Sequence, residues 1–440
     1  MHNSLILDKI KRSSFGIFYK KKLKKYIFLR VIFNFIFWRL IYFRIIKLSF
    51  FFLKNKDFDT LNSNFKYKII NKLKNQNKYK IINKLKNQNK YKIKIKTTNL
   101  SKPNLNNLFK INSKIQEFKI FNLEKIKIIR NSDFFFLNNK VFHHEFYDLH
   151  KDYTSEELHG IAKINFFKTK IKFINFKKNL YYSKGAIFTH ACSQSYFHWL
   201  VEVLPRINLF CKLKKYKDFP IFIDEGLNKN ILRSLKLVLN KNRKIILVKA
   251  NTYIHIKNAA YVNPLTYIPF EPRNFFSGTS YPCGLIDQYS SSKLRDIIIK
   301  KIKPKKKIKY KKIYLDRENL NYRSILNFND VINYYENQGY KIIRMEKLSF
   351  DDQVYIISNA DFVAGPTGAS FANLLFCKKQ AKITILIPKN YHSAYFLWAN
   401  LSRFLNINMN IVACRTKAKF GSFFSKMHAD YFVKINDLKN

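Results

Sequence analysis

The spacing of apolar residues divides the chain beyond residue 100 into short strands and helices. In order, it predicts strand-like segments at 118–130 and 164–176, a helix at 195–213, a strand at 219–224, a helix at 228–240 and a strand at 244–250. Strands that alternate with helices in this way favour a parallel sheet with helices on its faces. We therefore predict an α/β fold for this part of the chain.

A second alternation of the same kind fills the C-terminal third. It comprises a helix at 290–303, a strand at 311–317, a helix at 329–339, a strand at 340–345, a helix at 349–360, a strand at 361–365, a helix at 370–376 and a strand at 382–388. Gly339 is typical of a helix end, and Ser349 with Asp352 of a capping box at a helix start. Two such modules predict an enzyme of two lobes, at 101–280 and 281–440, with a cleft between them.

Residues 1–100 have a different pattern. The segment 26–52 is apolar but is interrupted by Arg30, Arg39, Arg44 and Lys47, so it lacks the roughly 20 uncharged residues that a membrane span needs. It predicts an amphipathic helix that lies on an anionic membrane or packs on the body of the protein. A 12-residue duplication, 66–77 and 78–89, lies in a basic linker at 54–100. We treat 1–100 as a basic N-terminal extension.

Charge adds one constraint on partners. The formal net charge is +55, from 83 Lys and Arg against 28 Asp and Glu. Such a surface attracts nucleic acid, anionic lipid or phosphorylated substrates. No zinc-finger or RNP-like signature accompanies it, so a basic nucleic-acid-binding protein without catalytic activity stays the alternative. Five cysteines without a CxxC pair argue against a disulfide framework and suit a reducing compartment, so we expect a cytoplasmic protein.

A glycine-containing turn follows the strand at 361–365. It contains Gly365, Thr367, Gly368 and Ala369, and it leads into a predicted helix. Glycines in such a turn allow close approach of a ligand to the backbone, and the amides at the start of the next helix favour phosphate. Asn373 lies in the first turn of that helix, from which it can reach back towards a ligand.

Cationic and polar residues follow two neighbouring strands. Arg317 and Arg323 flank the loop after the strand at 311–317, Asn327 comes next, and Glu346 follows the strand at 340–345. Arginine makes planar, bidentate contacts with phosphate. A carboxylate at Glu346 can accept hydrogen bonds from ribose or sugar hydroxyls, or cap the following turn. These residues predict a phosphate-binding edge.

The helix at 195–213 supplies candidates for acid and base chemistry. His198 and Glu202 are four residues apart and share one helix face, which Arg206 extends. Either His198 or Glu202 can deprotonate an acceptor hydroxyl if it faces a cleft. Helix spacing does not decide which of the two is the base.

Metal ligands and cofactor motifs are not predicted. The group of His143, His144, Glu145 and His150, and the pair His190 and Cys192, lack the ligand set of a known metal site. Asp57 and Asp59 have the spacing of a nucleotide-bound cation site but lie in the basic extension. Walker A, GxSxG and GxGxxG sequences are absent from the chain, and we expect no cofactor.

The order of several motifs resembles one known family. These motifs are YFHWLVEVLPR at 196–206, the R-x5-R-x3-N pattern of Arg317, Arg323 and Asn327, LSFDDQ at 348–353, GPTGASFANLLF at 365–376 and HADYFVKINDL at 428–438. Together they are similar to glycosyltransferase family 61, over about residues 140–435. The family includes bacterial capsular-polysaccharide transferases.

The resemblance implies a GT-B architecture of two Rossmann-like lobes, a nucleotide-sugar donor bound mainly by the C-terminal lobe, and no obligatory metal. Arg317, Arg323 and the turn Gly365–Gly368 would then neutralise the departing nucleoside diphosphate, while His198 and Glu202 would face the acceptor. Thr367 stands where many members have His, so the donor or its binding geometry is expected to differ. The resemblance also favours inversion at the sugar carbon.

These expectations predict a cytoplasmic transferase that lies peripherally at the inner face of the plasma membrane and builds a capsular or other surface polysaccharide. Its acceptor would be a glycan linked to lipid.

Overall fold

The structure is a computed structural model that describes most of residues 118–438 and three short strands before them. The described residues are 32, 45–53, 68–69, 94–96, 118–144, 152–158, 161–165, 169–240, 242–266, 268, 271–272, 286–305, 307–317, 323–389, 397–398, 401–402, 405, 407–416 and 429–438. The duplication at 66–89, apart from residues 68–69, and Asp57 and Asp59 lie outside these ranges.

The described strands and helices follow one another as an α/β chain. The strands are β1 (Ile45–Leu53), β2 (Lys68–Ile69), β3 (Lys94–Lys96), β4 (Ile120–Ile128), β5 (Phe135–Leu137), β6 (Lys140–His144), β7 (Asp152–Tyr153), β8 (Ala162–Ile164), β9 (Lys170–Ile174), β10 (Lys178–Ile187), β11 (Ile221–Asp224), β12 (Ile245–Val248), β13 (Thr252–Val262), β14 (Glu271–Pro272), β15 (Lys312–Leu315), β16 (Lys341–Ile343), β17 (Phe362–Pro366), β18 (Lys382–Pro388), β19 (Asn408–Thr416) and β20 (Tyr431–Phe432). The helices are α1 (Ser155–Leu158), α2 (Tyr196–His198), a π-helix (Trp199–Val203), α3 (Leu204–Phe210), α4 (Lys229–Val238), α5 (Gln288–Lys301), α6 (Phe328–Asn337) and α7 (Phe350–Asn359). Short 3₁₀ helices span Lys214–Tyr216, Met345–Lys347, Ala369–Phe376 and Ile435–Leu438.

The first sheet is mixed, so the parallel sheet that the sequence predicted for the N-terminal lobe is only partly confirmed. Its order is β12-β11-β10-β13-β4-β5-β6-β1-β9-β8, with β2 beside β4. The strands β10 to β13 pair in parallel, whereas β13 pairs antiparallel with β4, and β4, β5 and β6 form antiparallel hairpins. Asn138 (φ 47°) and Asn139 (φ 59°) are both left-handed, as a tight two-residue hairpin between β5 and β6 requires.

The second sheet agrees with the sequence prediction. Its order is β16-β15-β17-β18-β19, with parallel pairing throughout these five strands, and β20 and β3 add to β19. The helix α6 stops before Gly339, whose φ of 77° suits glycine. The Ser349 side chain accepts a hydrogen bond from the Asp352 N–H at the start of α7, so the capping interaction is confirmed.

The N-terminal extension contributes strands to both sheets, which corrects one prediction. The helix predicted at 26–52 is wrong over residues 45–52, because β1 lies there and pairs with β6 and β9. The segment IIKLSFFFL is rich in isoleucine and phenylalanine, which favour strands when neighbouring strands can pair with them. The extension is also not a pure linker, since β2 pairs with β4 and β3 with β19.

One hydrophobic core connects the helices of the two sheets. It includes Trp199 and Ile231 from the first part of the chain and Phe350 and Phe371 from the second. Polar contacts reinforce the same junction: Arg233 donates to both carboxylate oxygens of Asp351 at 2.8 and 2.7 Å. The structure thus shows a mixed α/β protein with two main sheets, and the GT-B arrangement stays a prediction.

Two further features concern the whole described region. None of its helices is long and apolar enough to cross a membrane. The described cysteines, Cys192, Cys211, Cys377 and Cys414, are buried free thiols.

Candidate active site

The first sheet reverses its direction of winding between β10 and β13. From β10 the chain proceeds outward to β11 and β12, and then returns to the other side of β10 as β13. Loops at the carboxyl ends of the two strands on either side of such a reversal leave a crevice in which ligands bind. The loop after β10 contains His190, and the segment after β13 contains Ile268. The helix that carries His198 and Glu202 follows the first of these loops.

His198 and Glu202 form a contact that the sequence spacing predicted. The Nδ1 atom of His198 lies 2.5 Å from Oε2 of Glu202. A carboxylate can only accept, so Nδ1 carries the proton and Nε2 carries the lone pair in the neutral ring. The His198 side chain is 12% exposed and that of Glu202 is 3% exposed. His198 is therefore the member of this dyad that can meet a substrate.

A π-turn positions the dyad. The Leu204 N–H donates to the Trp199 carbonyl five residues before it, so the helix widens between Trp199 and Val203. Pro205 follows and has no N–H with which to continue a regular helix. The fully buried Trp199 indole donates to the Ser234 hydroxyl at 2.9 Å and anchors the turn. Such turns are frequent at functional sites.

Glu202 is held by more than His198. Its Oε1 accepts a hydrogen bond from the Ile268 N–H at 3.2 Å, and its carbonyl accepts one from Nε of Arg206 at 2.9 Å. Arg206 also donates to the Val262 carbonyl at the end of β13, at 3.2 Å. The buried Arg206 thus ties the helix to β13. Its place on the acceptor side of the site stays a prediction.

His190 lies behind the dyad. Its Nε2 is 3.6 Å from Oε2 of Glu202 and 3.8 Å from Oδ2 of Asp133. The Cys192 N–H donates to its Nδ1 at 3.0 Å. Burial lowers the pKa of His190 to about 3, although the Glu202 carboxylate opposes the shift. The ring is therefore neutral near pH 7, with its proton on Nε2.

Three buried carboxyl groups surround this histidine. Asp224 accepts from the His190 N–H at 2.9 Å, and Asp133 from the Ala191 N–H at 3.2 Å. Burial raises the pKa of Asp224 to about 6 and that of Asp133 above its usual value. Glu156 accepts from the Asp133 N–H at 2.8 Å, and burial, aided by the Asp133 charge, raises its pKa to about 8.

A narrow cavity lies beside His190, Asp133 and Glu156. It is lined by Asp133, His143, Glu156, His190, His198 and Ile268, among others, and its volume of about 10 Å³ is far too small for a sugar ring. Within the described part of the chain, no three His, Cys, Asp or Glu side chains are arranged to hold a metal ion. From the sequence, His143 and His190 were considered only as metal ligands, and Asp133, Glu156 and Asp224 were not predicted to belong to the site.

The second sheet also reverses, between β15 and β17. The chain goes from β15 out to β16 and returns on the other side of β15 as β17, which gives a doubly wound order. Arg317 follows β15, and the turn Gly365–Gly368 lies at the end of β17. Arg317 donates from Nη1 to the Thr367 carbonyl at 3.0 Å. The predicted arginine and glycine turn are thus in contact at the reversal, where a ligand is expected.

Gly365 is required by the close approach of these two strands. It has φ 152°, and a Cβ added to it would lie 2.6 Å from the Leu315 carbonyl oxygen. Gly368 is different: it is extended, and a Cβ there would meet the Arg317 side chain at an ordinary 3.5 Å.

Replacing Gly365 by Ala is expected to lower the free energy of unfolding by about 2 kcal/mol or more, because strain and overpacking add. Gly339→Ala is the matched control, since its φ is also positive but nothing lies within 4 Å of the added Cβ. Its cost should be about 1 kcal/mol. Thermal unfolding of both variants measures the difference, and equal midpoints would contradict the steric explanation.

Thr367 and Asn373 join the two parts of the chain. The buried Thr367 hydroxyl accepts from the Trp398 indole N–H at 2.9 Å, and the Trp398 ring packs on Phe197, with 5.7 Å between ring centroids. Asn373 is buried and accepts from the Tyr196 hydroxyl at 2.7 Å. The helix α2 therefore contacts the glycine-turn region directly, next to His198.

The other predicted donor residues have varied surroundings. Arg323 has φ 57°. It lies near Tyr431, whose pKa is raised well above its usual value by burial and then by the Cys414 thiol. The positive charges of Arg323 and Arg317 oppose that rise. The two arginines therefore lie in one neighbourhood. Asn327 exchanges two hydrogen bonds with the backbone of Val433, at 2.9 and 3.0 Å.

Ala369 and Glu346 are exposed. Arg344, at the end of β16, was not singled out by the sequence. It donates from Nε to Oδ2 of Asp316 at 2.7 Å, while Oδ1 of Asp316 accepts from the Arg317 N–H at 2.6 Å. The carboxylate of Asp316 thus fixes the backbone from which Arg317 extends.

Comparison with known proteins agrees with this geometry. Residues 196–384 match the family model described as Glycosyltransferase 61. The matched range begins in the helix of the His198–Glu202 dyad and ends in β18, so it contains the dyad, Arg317 and the glycine turn, whereas Asp133, Glu156 and His190 precede it. A search of curated proteins found no match.

The protein is therefore a glycosyltransferase. More narrowly, the resemblance to family 61 is confirmed: residues 196–384 form a glycosyltransferase family 61 domain. A sugar donor and a glycan acceptor follow from this class in general terms.

Proposed function

We propose that the protein transfers a sugar from a nucleotide-sugar donor to a hydroxyl of a glycan acceptor, with inversion and without a metal ion. The observation that supports this proposal is the contact between the sites at the two strand reversals. The dyad lies at the first, the contact of Arg317 with the glycine turn lies at the second, and the chain of contacts Phe197–Trp398–Thr367 joins them.

The second reversal supports a phosphate site for the donor. Arg317 is held at both ends, by Asp316 at its backbone and by the Thr367 carbonyl at its guanidinium. Arg323 lies in the same neighbourhood. The Arg317 guanidinium, which is already held in place, can neutralise the diphosphate as it leaves, with Arg323 as a second cation nearby, and such preorganised charge lowers a barrier most effectively. This supports a reaction without a metal ion.

The dyad supports the acceptor side. The acceptor oxygen forms a bond to the anomeric carbon, the bond from that carbon to the diphosphate oxygen breaks with its electron pair leaving on the phosphate, and the hydroxyl proton passes to Nε2 of His198. Glu202 then stabilises the imidazolium through Nδ1–H. We assign the role of base to His198 rather than Glu202, because Glu202 is the more buried and already accepts at both oxygens. One displacement with one base inverts the anomeric carbon.

Thermal stability of the full chain tests the donor. We expect one nucleoside diphosphate and its sugar conjugates to raise the melting temperature selectively, since a ligand that binds only the folded state stabilises it. The shift should persist in EDTA. A shift that EDTA abolishes would refute the metal-free reaction, and no shift with any nucleotide, beside tight salt-sensitive binding of nucleic acid, would favour the alternative function.

The charge of the protein bears on the class of acceptor. We propose a lipid-linked glycan in capsular or other surface polysaccharide synthesis, at the cytoplasmic face of the membrane. The support is the net charge of +55 and the basic, aromatic N-terminal extension. The full chain should sediment with vesicles that contain anionic lipid and dissociate at high salt, whereas it should not sediment with neutral vesicles. Equal recovery in the supernatant with both kinds of vesicle would refute the membrane contact.

A further inference from the structure

The distances around His190 leave room for a bridging water between its imidazole ring and two carboxylates. Its Nε2 is 3.6 Å from Glu202 and 3.8 Å from Asp133, and both distances exceed those of direct hydrogen bonds. A water molecule that bridges Nε2 to either carboxylate oxygen is geometrically possible, because each of these two separations is shorter than two hydrogen bonds laid end to end. The adjoining cavity is lined by Asp133, His190 and His198, with Glu202 outside its lining, and its volume of about 10 Å³ is about that of one water.

The hydrogen-bond capacities of the three groups match one water. Nδ1 of His190 accepts from the Cys192 N–H, so the neutral ring has its one proton on Nε2 and can only donate there. The carboxylates of Asp133 and Glu202 can only accept when ionised. A water that accepts from Nε2–H and donates one proton to each carboxylate satisfies all three.

We propose that His190 is a positioning residue for the dyad: together with one water shared with Asp133, its Nε2–H holds the Glu202 carboxylate aligned to receive the Nδ1–H of His198. This inference rests on the proposed function, in which His198 is the base. His190 does not touch substrate, because it is buried behind His198.

The charges around the site agree with this role. The groups that act on His190 are Glu202, Arg206, His198 and His143, from four different elements. Asp133 in turn is influenced by His143, Arg206 and His198. The backbone of His190 is fixed by Asp224 through its N–H, so its ring cannot shift far without breaking a buried bond. A second buried cation in place of neutral His190 would compete with His198 for the Glu202 carboxylate.

The test uses the full chain and compares the pH dependence of kcat/KM in the wild type with that in the variants His190→Asn, His190→Phe and His190→Gln. Asn is too short to reach Glu202, and Phe lacks a donor. Both should lower kcat by about tenfold to a hundredfold, with little change in the KM for the donor. Their acid limb should move to higher pH, because a carboxylate that loses a donor binds its proton more tightly. Gln can still present an N–H and should lie closer to the wild type. His255→Phe, at the opposite end of β13, is the control and should leave the profile unchanged.

The outcomes separate this inference from the proposed function. A lowered kcat with an acid limb at the wild-type pH would show a merely structural role for His190 and overturn the inference. Unchanged kcat and pH profile would overturn it as well. If His190→Phe does not fold, His190→Asn decides alone. Normal turnover in His198→Ala would instead remove the base itself, and with it the proposed function, whatever the His190 variants show.

Discussion

Replacing His198 by Ala is expected to lower kcat by about 10²- to 10⁴-fold, the usual contribution of a general base. The reason is geometric: Nδ1 is committed to Glu202 at 2.5 Å, so in the proposed reaction Nε2 is the ring nitrogen that takes the acceptor proton. The KM for the donor should change little, because the proposed donor contacts lie on the second sheet. Initial rates of sugar transfer at saturating donor measure the effect.

Glu202→Gln provides a sharper version of the same experiment. The amide of Gln is an N–H donor and can pair with an unprotonated Nδ1, which would place the imidazole proton on Nε2 and remove the lone pair that the acceptor needs. A carboxylate that fixes the tautomer of a catalytic histidine is worth up to about 10⁴ in kcat elsewhere. We therefore expect Glu202→Gln to be nearly as inactive as His198→Ala, although no side chain is truncated.

Non-additivity checks whether the two residues act as a unit. If they do, the double variant should be no worse than the poorer single variant. The control is His255→Ala, which removes a half-buried imidazole at the far end of the same sheet. If the His198→Ala variant folds and its turnover is within about twofold of that of the wild type, a group other than His198 must take the proton of the acceptor hydroxyl.

The sequence predicts the elements of this protein better than their pairing. The strands β11, β12 and β15 to β18 were expected within a few residues, because apolar runs, Gly339 and the Ser349 cap are local signals. The antiparallel pairing of β13 with β4 was not expected, since it joins Ile254 to Ile128 and similar pairs far apart in sequence. The strand β1 was taken for helix for the same reason: its partners β6 and β9 are distant.

The same distinction applies to the site. The contact between His198 and Glu202 was expected because a helix places residues four apart on one face, and that contact survives the π-turn. Asp133, Glu156 and Asp224 come from separate turns and strands that only the folded chain brings around His190. A useful local signal existed: His190 follows the buried carboxyl end of β10, and Asp224 ends the buried strand β11, where ligand sites tend to lie.

The second large loss of activity is expected at the proposed donor site. Arg317→Ala should lower kcat/KM by about 10²- to 10³-fold, the cost of losing one preorganised donor to a developing charge. Arg323→Ala should act in the same direction, since its guanidinium lies in the same neighbourhood of Tyr431. Both variants should also lose the thermal stabilisation that a nucleoside diphosphate gives to the wild type. Transfer assays and melting curves with the same nucleotide measure the two effects.

Arg317→Lys separates charge from geometry. Lysine keeps the positive charge but lacks the planar pair of donors, and it cannot hold the Thr367 carbonyl and a phosphate in the same way. Activity between those of wild type and Arg317→Ala is therefore expected. The control is Lys341→Ala, which removes an exposed charge from the amino end of β16, at the opposite edge of the same sheet. If Lys341→Ala costs as much as Arg317→Ala, the arginine acts only through the net charge of a very basic protein, and the donor site must be sought away from the glycine turn.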